Sequence, residues 1–178
     1  WGLAWSALRE LVDTGLDADR VASIREVISQ VPGVHSLHML RTRRMGETAL
    51  VDVHIQLDDS HASVSEGHQI SESVRSRLVN EVEEVSDVTV HIDPENDAVV
   101  KPCSSLPLRQ ELQPQMQQAW RDIPEAAEIQ DITLHYLSGE VQVELRLPLS
   151  IYRDATSTEA LQQRFQQAVA DLPGVGTV

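Results

Sequence analysis

Two short stretches of the sequence alternate between apolar and polar residues at every position. They are residues 51–57, VDVHIQL, and residues 88–93, VTVHID. Successive side chains of a β-strand point to opposite faces of the sheet, so this pattern predicts two strands with one buried face. The other face of the same strands then carries His54, His91 and Asp93.

A third predicted strand precedes these two and adds one more histidine. In this strand, Leu37 and Met39 are expected to face the core and His38 the opposite side. With Asp93, three imidazoles and a carboxylate would share one sheet face, which is a ligand set that suits a borderline divalent cation such as Zn²⁺. A strand histidine taken alone is usually a solvated surface residue, so the hypothesis rests on the joint pattern.

Segments with helical periodicity flank these strands along the chain and indicate the order of the elements. Apolar residues recur at helical spacing before the first strand and again between the second and third strands. The predicted elements are a helix over 18–31, strands over 34–44 and 48–57, a helix over 62–85 and a strand over 87–93. The first part of the chain therefore has the order αββαβ.

The same order begins again after a linker over residues 97–107. Its predicted elements are a helix over 108–122, strands over 129–137 and 141–147, and a helix over 157–171. Glu144 stands where His54 stands in the first unit, and His135 roughly where His38 stands. A third strand, with counterparts of His91 and Asp93, is expected to be cut short or absent.

The fold class predicted from this repeat is α+β. It has two tandem ferredoxin-like αββα(β) units, over 15–96 and 108–178, with the helices on one face of each small sheet. A formal net charge of −14 argues against binding to nucleic acid. Cys103 is the one cysteine, which rules out a disulfide within the chain and a cysteine-rich zinc site.

Two further function classes find no support in the sequence. No apolar run approaches the roughly 20 residues that cross a bilayer, so membrane insertion by these residues is not predicted. Neither a Gly-x-Ser-x-Gly nucleophile motif nor a glycine-rich phosphate loop occurs, so the chain is not predicted to be an enzyme.

His68 is a separate candidate on the second helix. It lies two residues before the core residue Ile70, so it points away from the core of its own unit. Because the cluster is expected on the sheet face opposite the helices, His68 cannot easily join it within one subunit. It could come from a second subunit, form a separate site, or be a solvated helix residue.

Short motifs between residues 8 and 95 match a known protein family. They are Leu11-Val12-Asp13, Val31-Pro32-Gly33-Val34, His38-Met39-Leu40-Arg41-Thr42-Arg43, Val53-His54-Ile55, Gly67-His68 and Val90-His91-Ile92-Asp93-Pro94. With these motifs the chain resembles the cytoplasmic C-terminal domain of cation diffusion facilitator transporters, which export zinc, iron and manganese. The resemblance covers roughly half of the chain and leaves the second unit outside it.

The resemblance implies a fold, an assembly and a set of site residues. The fold would be a metallochaperone-like αββαβ domain that forms a homodimer below the membrane. The implied metal ligands are His38, His54, His91 and Asp93, with Asp93 able to bridge two ions, and His68 supplied across the dimer interface. Asp13 would belong to a charge interlock at the membrane boundary, and residues 1–14 to the end of the last transmembrane helix and its linker.

The resemblance also implies a function. The chain would be the cytoplasmic regulatory and dimerisation domain of a proton-coupled efflux transporter in the inner (plasma) membrane. Its expected ion is a divalent metal, Zn²⁺ above Fe²⁺ or Mn²⁺, and its expected partners are a second copy and the transmembrane domain of the same polypeptide. The alternative is a free-standing metallochaperone or small-ligand-sensing module.

Overall fold

The structure, a computed structural model, describes residues 15–96, 99–152 and 155–178. These residues form two compact units that divide after Asn96. Each unit has its own cluster of buried apolar side chains. Within the described ranges, no helix combines the length and the apolar character needed to cross a membrane.

The first unit has the predicted order αββαβ. Its elements are α1 (Ala18–Ser29), β1 (Val34–Met45), β2 (Thr48–Leu57), α2 (Val64–Glu81) and β3 (Val85–Asp93). Both helices begin at residues whose short polar side chains accept a hydrogen bond from the first turn, as N-caps do. Asp17 accepts from the amide of Arg20, and Ser63 accepts from the amide of Glu66.

The three strands form one mixed sheet in the order β1-β2-β3. β1 and β2 form an antiparallel hairpin, whereas β2 and β3 are parallel and are joined through α2. A parallel pair requires a crossover connection of this kind, because a tight turn would reverse the strand direction. The parallel register places His54 directly beside His91.

Both helices pack against the same face of this sheet. The fully buried residues of this core come from α1 (Ile24, Ile28), β2 (Val51, Val53, Ile55) and α2 (Val74, Leu78). Burying an aliphatic side chain of this size stabilises the fold by about 1.5–3 kcal/mol relative to leaving it exposed. The predicted arrangement, with helices on one sheet face, is confirmed, and the alternate residues of β2 and β3 lie on the other face.

The prediction that Met39 faces the core is wrong. The register between β1 and β2 shifts between Leu37 and Met39, so that His38 and Met39 together oppose His54. Such a β-bulge adds one residue to a strand and reverses the alternation beyond it. The apolar side chains of β1 that pack against the core are therefore Val34 and Leu37 before the bulge and Leu40 after it.

The second helix is shorter than predicted. Val82 and Val85 continue the apolar spacing of α2, so the sequence extends the helix to residue 85, but the helix ends at Glu81. Val82 has extended backbone angles, and the amide of Val85 donates to the carbonyl of Val82 in a tight turn. Val85 is buried as the first residue of β3 instead.

The second unit repeats the same architecture. Its elements are α3 (Arg109–Ala119), β4 (Asp131–Leu137), β5 (Glu140–Arg146) and α4 (Ala155–Ala168), with 3-10 helices at Pro124–Glu128 and Leu149–Ile151. In its core, the rings of Trp120 and Phe165 meet edge to face with centroids 5.4 Å apart. The indole N–H of Trp120 donates to the carbonyl of Phe165 at 3.1 Å, which satisfies a buried donor.

The third strand of the second unit is cut short to an isolated bridge, which is one of the two outcomes expected from the sequence. Val175 pairs with Val141 of β5 in parallel. The amide of Val141 donates to the carbonyl of Gly174, and that of Val143 to the carbonyl of Thr177, both at 2.7 Å. This segment follows α4 as β3 follows α2, so both units share the βαβ connection.

Candidate metal centre

A buried carboxylate lies at the end of β3, on the sheet face opposite the helices. Asp93 is 3% exposed and is the one buried charged residue of the described ranges. Burying a carboxylate is costly unless donors surround it. Its Oδ2 atom lies 2.9 Å from Nε2 of His38 and 2.9 Å from Nδ1 of His54, and its Oδ1 atom lies 2.7 Å from Nε2 of His91. Three imidazoles therefore share the two oxygens of one carboxylate.

Each strand of the first sheet supplies a part of this cluster. The bulge of β1 brings His38 over the sheet, while the parallel register of β2 and β3 sets His54 beside His91. The ring centroids of His54 and His91 are 4.5 Å apart, and those of His38 and His54 are 5.6 Å apart. The cluster therefore exists only when all three strands are paired.

Three of these residues are close enough to share one cation. Candidate ligand atoms of His38, His54 and Asp93 lie within 4.8 Å of one another. In a tetrahedral zinc site, ligand atoms at about 2.0–2.1 Å from the ion lie roughly 3.3 Å apart. The present N···O separations of 2.9 Å are a few tenths of an ångström shorter, and no two of the three candidate ligand atoms lie more than 4.8 Å apart, so side-chain adjustments would bring all three around one ion.

The second ring nitrogen of His38 also indicates whether these residues suit a metal ion. Its Nδ1 atom is buried and has no hydrogen-bond partner in the described ranges. An unsatisfied buried polar atom costs about 1–3 kcal/mol, so such atoms are uncommon without a reason. Either nitrogen of this ring could face a cation after a rotation of the side chain. Neutral imidazoles with one carboxylate are the donors that zinc and similar ions prefer, so the residues fit a metal ion.

His91 has a different position from the other three residues. It contacts Oδ1 of Asp93, on the side away from the Oδ2 atom that His38 and His54 share. Its side chain is 60% exposed. The two oxygens of Asp93 therefore contact different histidines.

The remaining predicted site residues lie elsewhere. His68 is exposed on α2, which packs against the opposite face of the sheet, so the structure does not bring it to the cluster within one chain. Asp13 and residues 1–14 lie outside the described residues. In the second unit, Nε2 of His135 lies 3.5 Å from Oε2 of Glu144, but no third ligand group joins them within the described residues.

One residue near the cluster was placed on the wrong face by the sequence prediction. The bulge puts Met39 opposite His54, on the face of the histidines. The signal for this was the pair of adjacent apolar residues, Met39 and Leu40, which interrupts the alternation of β1.

The fold and the cluster define a ferredoxin-like α+β domain with histidines and a carboxylate on the sheet face opposite its helices. Residues 16–95 match the family described as "Cation efflux protein, cytoplasmic domain". This match covers slightly less than half of the chain and confirms the resemblance found in the sequence. The match ends before the second unit.

Curated relatives share the same region. Metal tolerance protein C1 of Arabidopsis thaliana is 43% identical over 88 residues, which are 49% of this chain and 18% of that protein. Cation-efflux pump FieF of Pectobacterium carotovorum subsp. carotovorum is 34% identical over 92 residues, which are 52% of this chain and 30% of that protein. The chain thus spans less than a third of the length of these relatives. A solved cadmium form of a MamM CTD variant is 23% identical, with a TM-score of 0.42, and covers 44% of this chain and 98% of that one.

Proposed function

We propose that residues 16–95 form the metal-sensing regulatory and dimerisation domain of a proton-coupled divalent-cation efflux transporter. The observation that carries this proposal is the buried Asp93 carboxylate, shared by His38, His54 and His91. A carboxylate in that position has an evident use as a cation ligand. Zn²⁺ is the expected ion, although the donors also suit Fe²⁺, Mn²⁺, Co²⁺ and Cd²⁺.

The position of the cluster supports a role between two subunits. The helices of the first unit pack on the other face of the sheet and leave the face with the histidines uncovered by them, and the His91 side chain is 60% exposed there. We propose that His68 of a second copy approaches this face and adds a ligand, which would explain a histidine exposed on α2. The bound ion would then supply a crosslink between the two copies.

Regulation would follow from differential affinity. A ligand shifts an equilibrium between two arrangements only as far as it binds one of them more tightly. His38, His54 and Asp93 hold an ion in either arrangement, but a ligand from a second copy reaches it in one arrangement alone. Ion binding would therefore favour that arrangement of the dimer and, through it, one state of an attached transporter.

Metal binding is tested by calorimetric titration of Zn²⁺ into the chain and into Asp93→Ala. We expect the substitution to weaken binding by at least about tenfold, or 1.4 kcal/mol, because it removes the one ligand that all three histidines share. Asp87→Ala is the matched control, since Asp87 is an exposed carboxylate of β3 that pairs with Arg75 at 3.1 Å. Equal affinity of wild type and Asp93→Ala would contradict the site.

The inter-subunit role is tested by small-angle scattering with and without Zn²⁺. We expect Zn²⁺ to produce a more compact dimer in the wild type and a smaller change in His68→Ala. Gln69→Ala is the control, because Gln69 is the next residue and is also exposed on α2. If His68→Ala compacts as the wild type does, His68 is a solvated helix residue and takes no part in the site.

A further inference from the structure

The bulge in β1 adds a sulfur-bearing side chain to the surroundings of the cluster. His38 and Met39 both lie opposite His54, and the next residue, Leu40, pairs with Val53 and packs in the core. Adjacent residues of a strand alternate between faces, so Met39 lies on the face of the cluster. It is half-buried and is not among the side chains that pack against the first core.

Met39 lies within reach of the candidate ligands. Directly opposed residues of an antiparallel pair have Cβ atoms about 4.5–5.5 Å apart, and the methionine side chain has three rotatable bonds. His54, its partner across the strands, has its Nδ1 atom 2.9 Å from Asp93. The Met39 side chain is therefore long and flexible enough for its sulfur to reach an ion held by His38 and His54.

A thioether changes which cations such a site prefers. Sulfur ligands of cysteine and methionine favour soft ions such as Cu⁺, imidazole accepts both soft and borderline ions, and carboxylate favours harder ones. We propose that Met39 is a specificity-determining ligand that shifts this site toward soft monovalent cations of the Cu⁺ type. The proposal rests on the proposed metal site and adds to it a thioether donor, from the strand that already supplies His38.

The three methionines of the chain provide a direct readout. Met45 is exposed at the end of β1, and Met116 is fully buried in the second unit. In a Cys103→Ser background, which removes the thiol, the methionine methyl groups are labelled with ¹³C and titrated with Ag⁺ as a stable analogue of Cu⁺. We expect the Met39 methyl resonance to shift and saturate near about one equivalent of Ag⁺, as a soft ligand should.

The other two methyl groups are internal controls. Met116 should not move, and Met45 should move only at much higher Ag⁺, because no histidine lies opposite it in the hairpin. His54→Ala should abolish the saturation of Met39, which would show that thioether and imidazole act in one site. The proposal would be overturned if the Met39 resonance does not shift with Ag⁺, or if it shifts only at the same high Ag⁺ concentration as the Met45 resonance.

Affinity ratios give a second measurement. Met39→Leu keeps the size of the side chain and removes the sulfur, so it should preserve the fold. We expect about tenfold weaker Ag⁺ binding with Zn²⁺ binding changed by less than about twofold. If Met39→Leu changes the affinity for neither ion, Met39 contributes only apolar packing and the inference is overturned. The proposed zinc site would remain intact in that case. If His54→Ala changes the affinity for neither Zn²⁺ nor Ag⁺, the proposed function fails and this inference fails with it.

Discussion

Zinc should stabilise the first unit and leave the second unit nearly unchanged. The ligand atoms come from β1, β2 and β3, so they are close together only in the folded sheet. An ion that binds the folded state alone, at a hundred times its Kd, raises the free energy of unfolding by about 2.7 kcal/mol. For a unit of this size, each kcal/mol raises Tm by about 4–8 °C, so the expected increase is roughly 10–20 °C.

The second unit provides the internal reference for this prediction. On its corresponding sheet face, His135 and Glu144 lie 3.5 Å apart, and the Glu144 side chain is 71% exposed. A single histidine and an exposed glutamate bind a divalent ion weakly, so the stabilisation of the second unit by Zn²⁺ should remain below about 1 kcal/mol. Each unit also has a separate core, so the stability of one can be measured beside that of the other.

Hydrogen exchange followed by mass spectrometry resolves the two units in a single sample. Peptides that contain Val53 and Ile55 report on the first core, and those that contain Val141 and Val143 report on the second. Zn²⁺ should slow exchange in the first pair only, and Asp93→Ala should remove that effect. Equal protection of both units, or protection that survives Asp93→Ala, would refute the reasoning.

Two further predictions concern the second unit, whose role the metal site does not explain. Trp120→Phe should destabilise it by about 2–3 kcal/mol in urea titrations followed by circular dichroism, since the Phe165 carbonyl loses its buried donor and a cavity remains. The hydrogen bonds from Arg164 lower the pKa of Glu125. This pair therefore stabilises the fold at pH values above the ordinary pKa of the carboxyl, and its contribution is lost as the pH falls through the lowered pKa. Both side chains are partly exposed, so Glu125→Gln should cost less than about 1 kcal/mol at neutral pH and nothing in acid, as thermal unfolding across pH would show.

Strict alternation made β2 and β3 predictable in detail. A strand with one buried face must repeat every two residues, so the core positions Val51, Val53 and Ile55 and the open position of His54 could be read from the sequence. The register between strands is not contained in that pattern. The distance from His54 to Asp93 depends on the parallel pairing through α2, which only the structure supplies.

Two errors in the prediction share one physical cause. Apolar spacing reports which side chains are buried, but it does not report the local backbone path that buries them. Val85 fits the spacing of α2 and is buried, yet a turn after Glu81 places it in β3. Met39 fits the spacing of β1, yet a bulge turns it to the face of the histidines. In both places a short local departure from regular geometry, a turn over 82–84 and a bulge at His38, changes where the next apolar side chain lies.

The two units together show that the fold does not require the cluster. Both have the βαβ connection with helices on one sheet face, and both bury an apolar core. The second unit forms this structure with an exposed Glu144 at the position of His54 and, within its described residues, without a buried carboxylate. Asp93 is therefore not needed to build such a sheet, and its burial adds a cost that the fold alone does not explain. A cation-binding role would explain why the chain keeps a buried carboxylate next to three histidines.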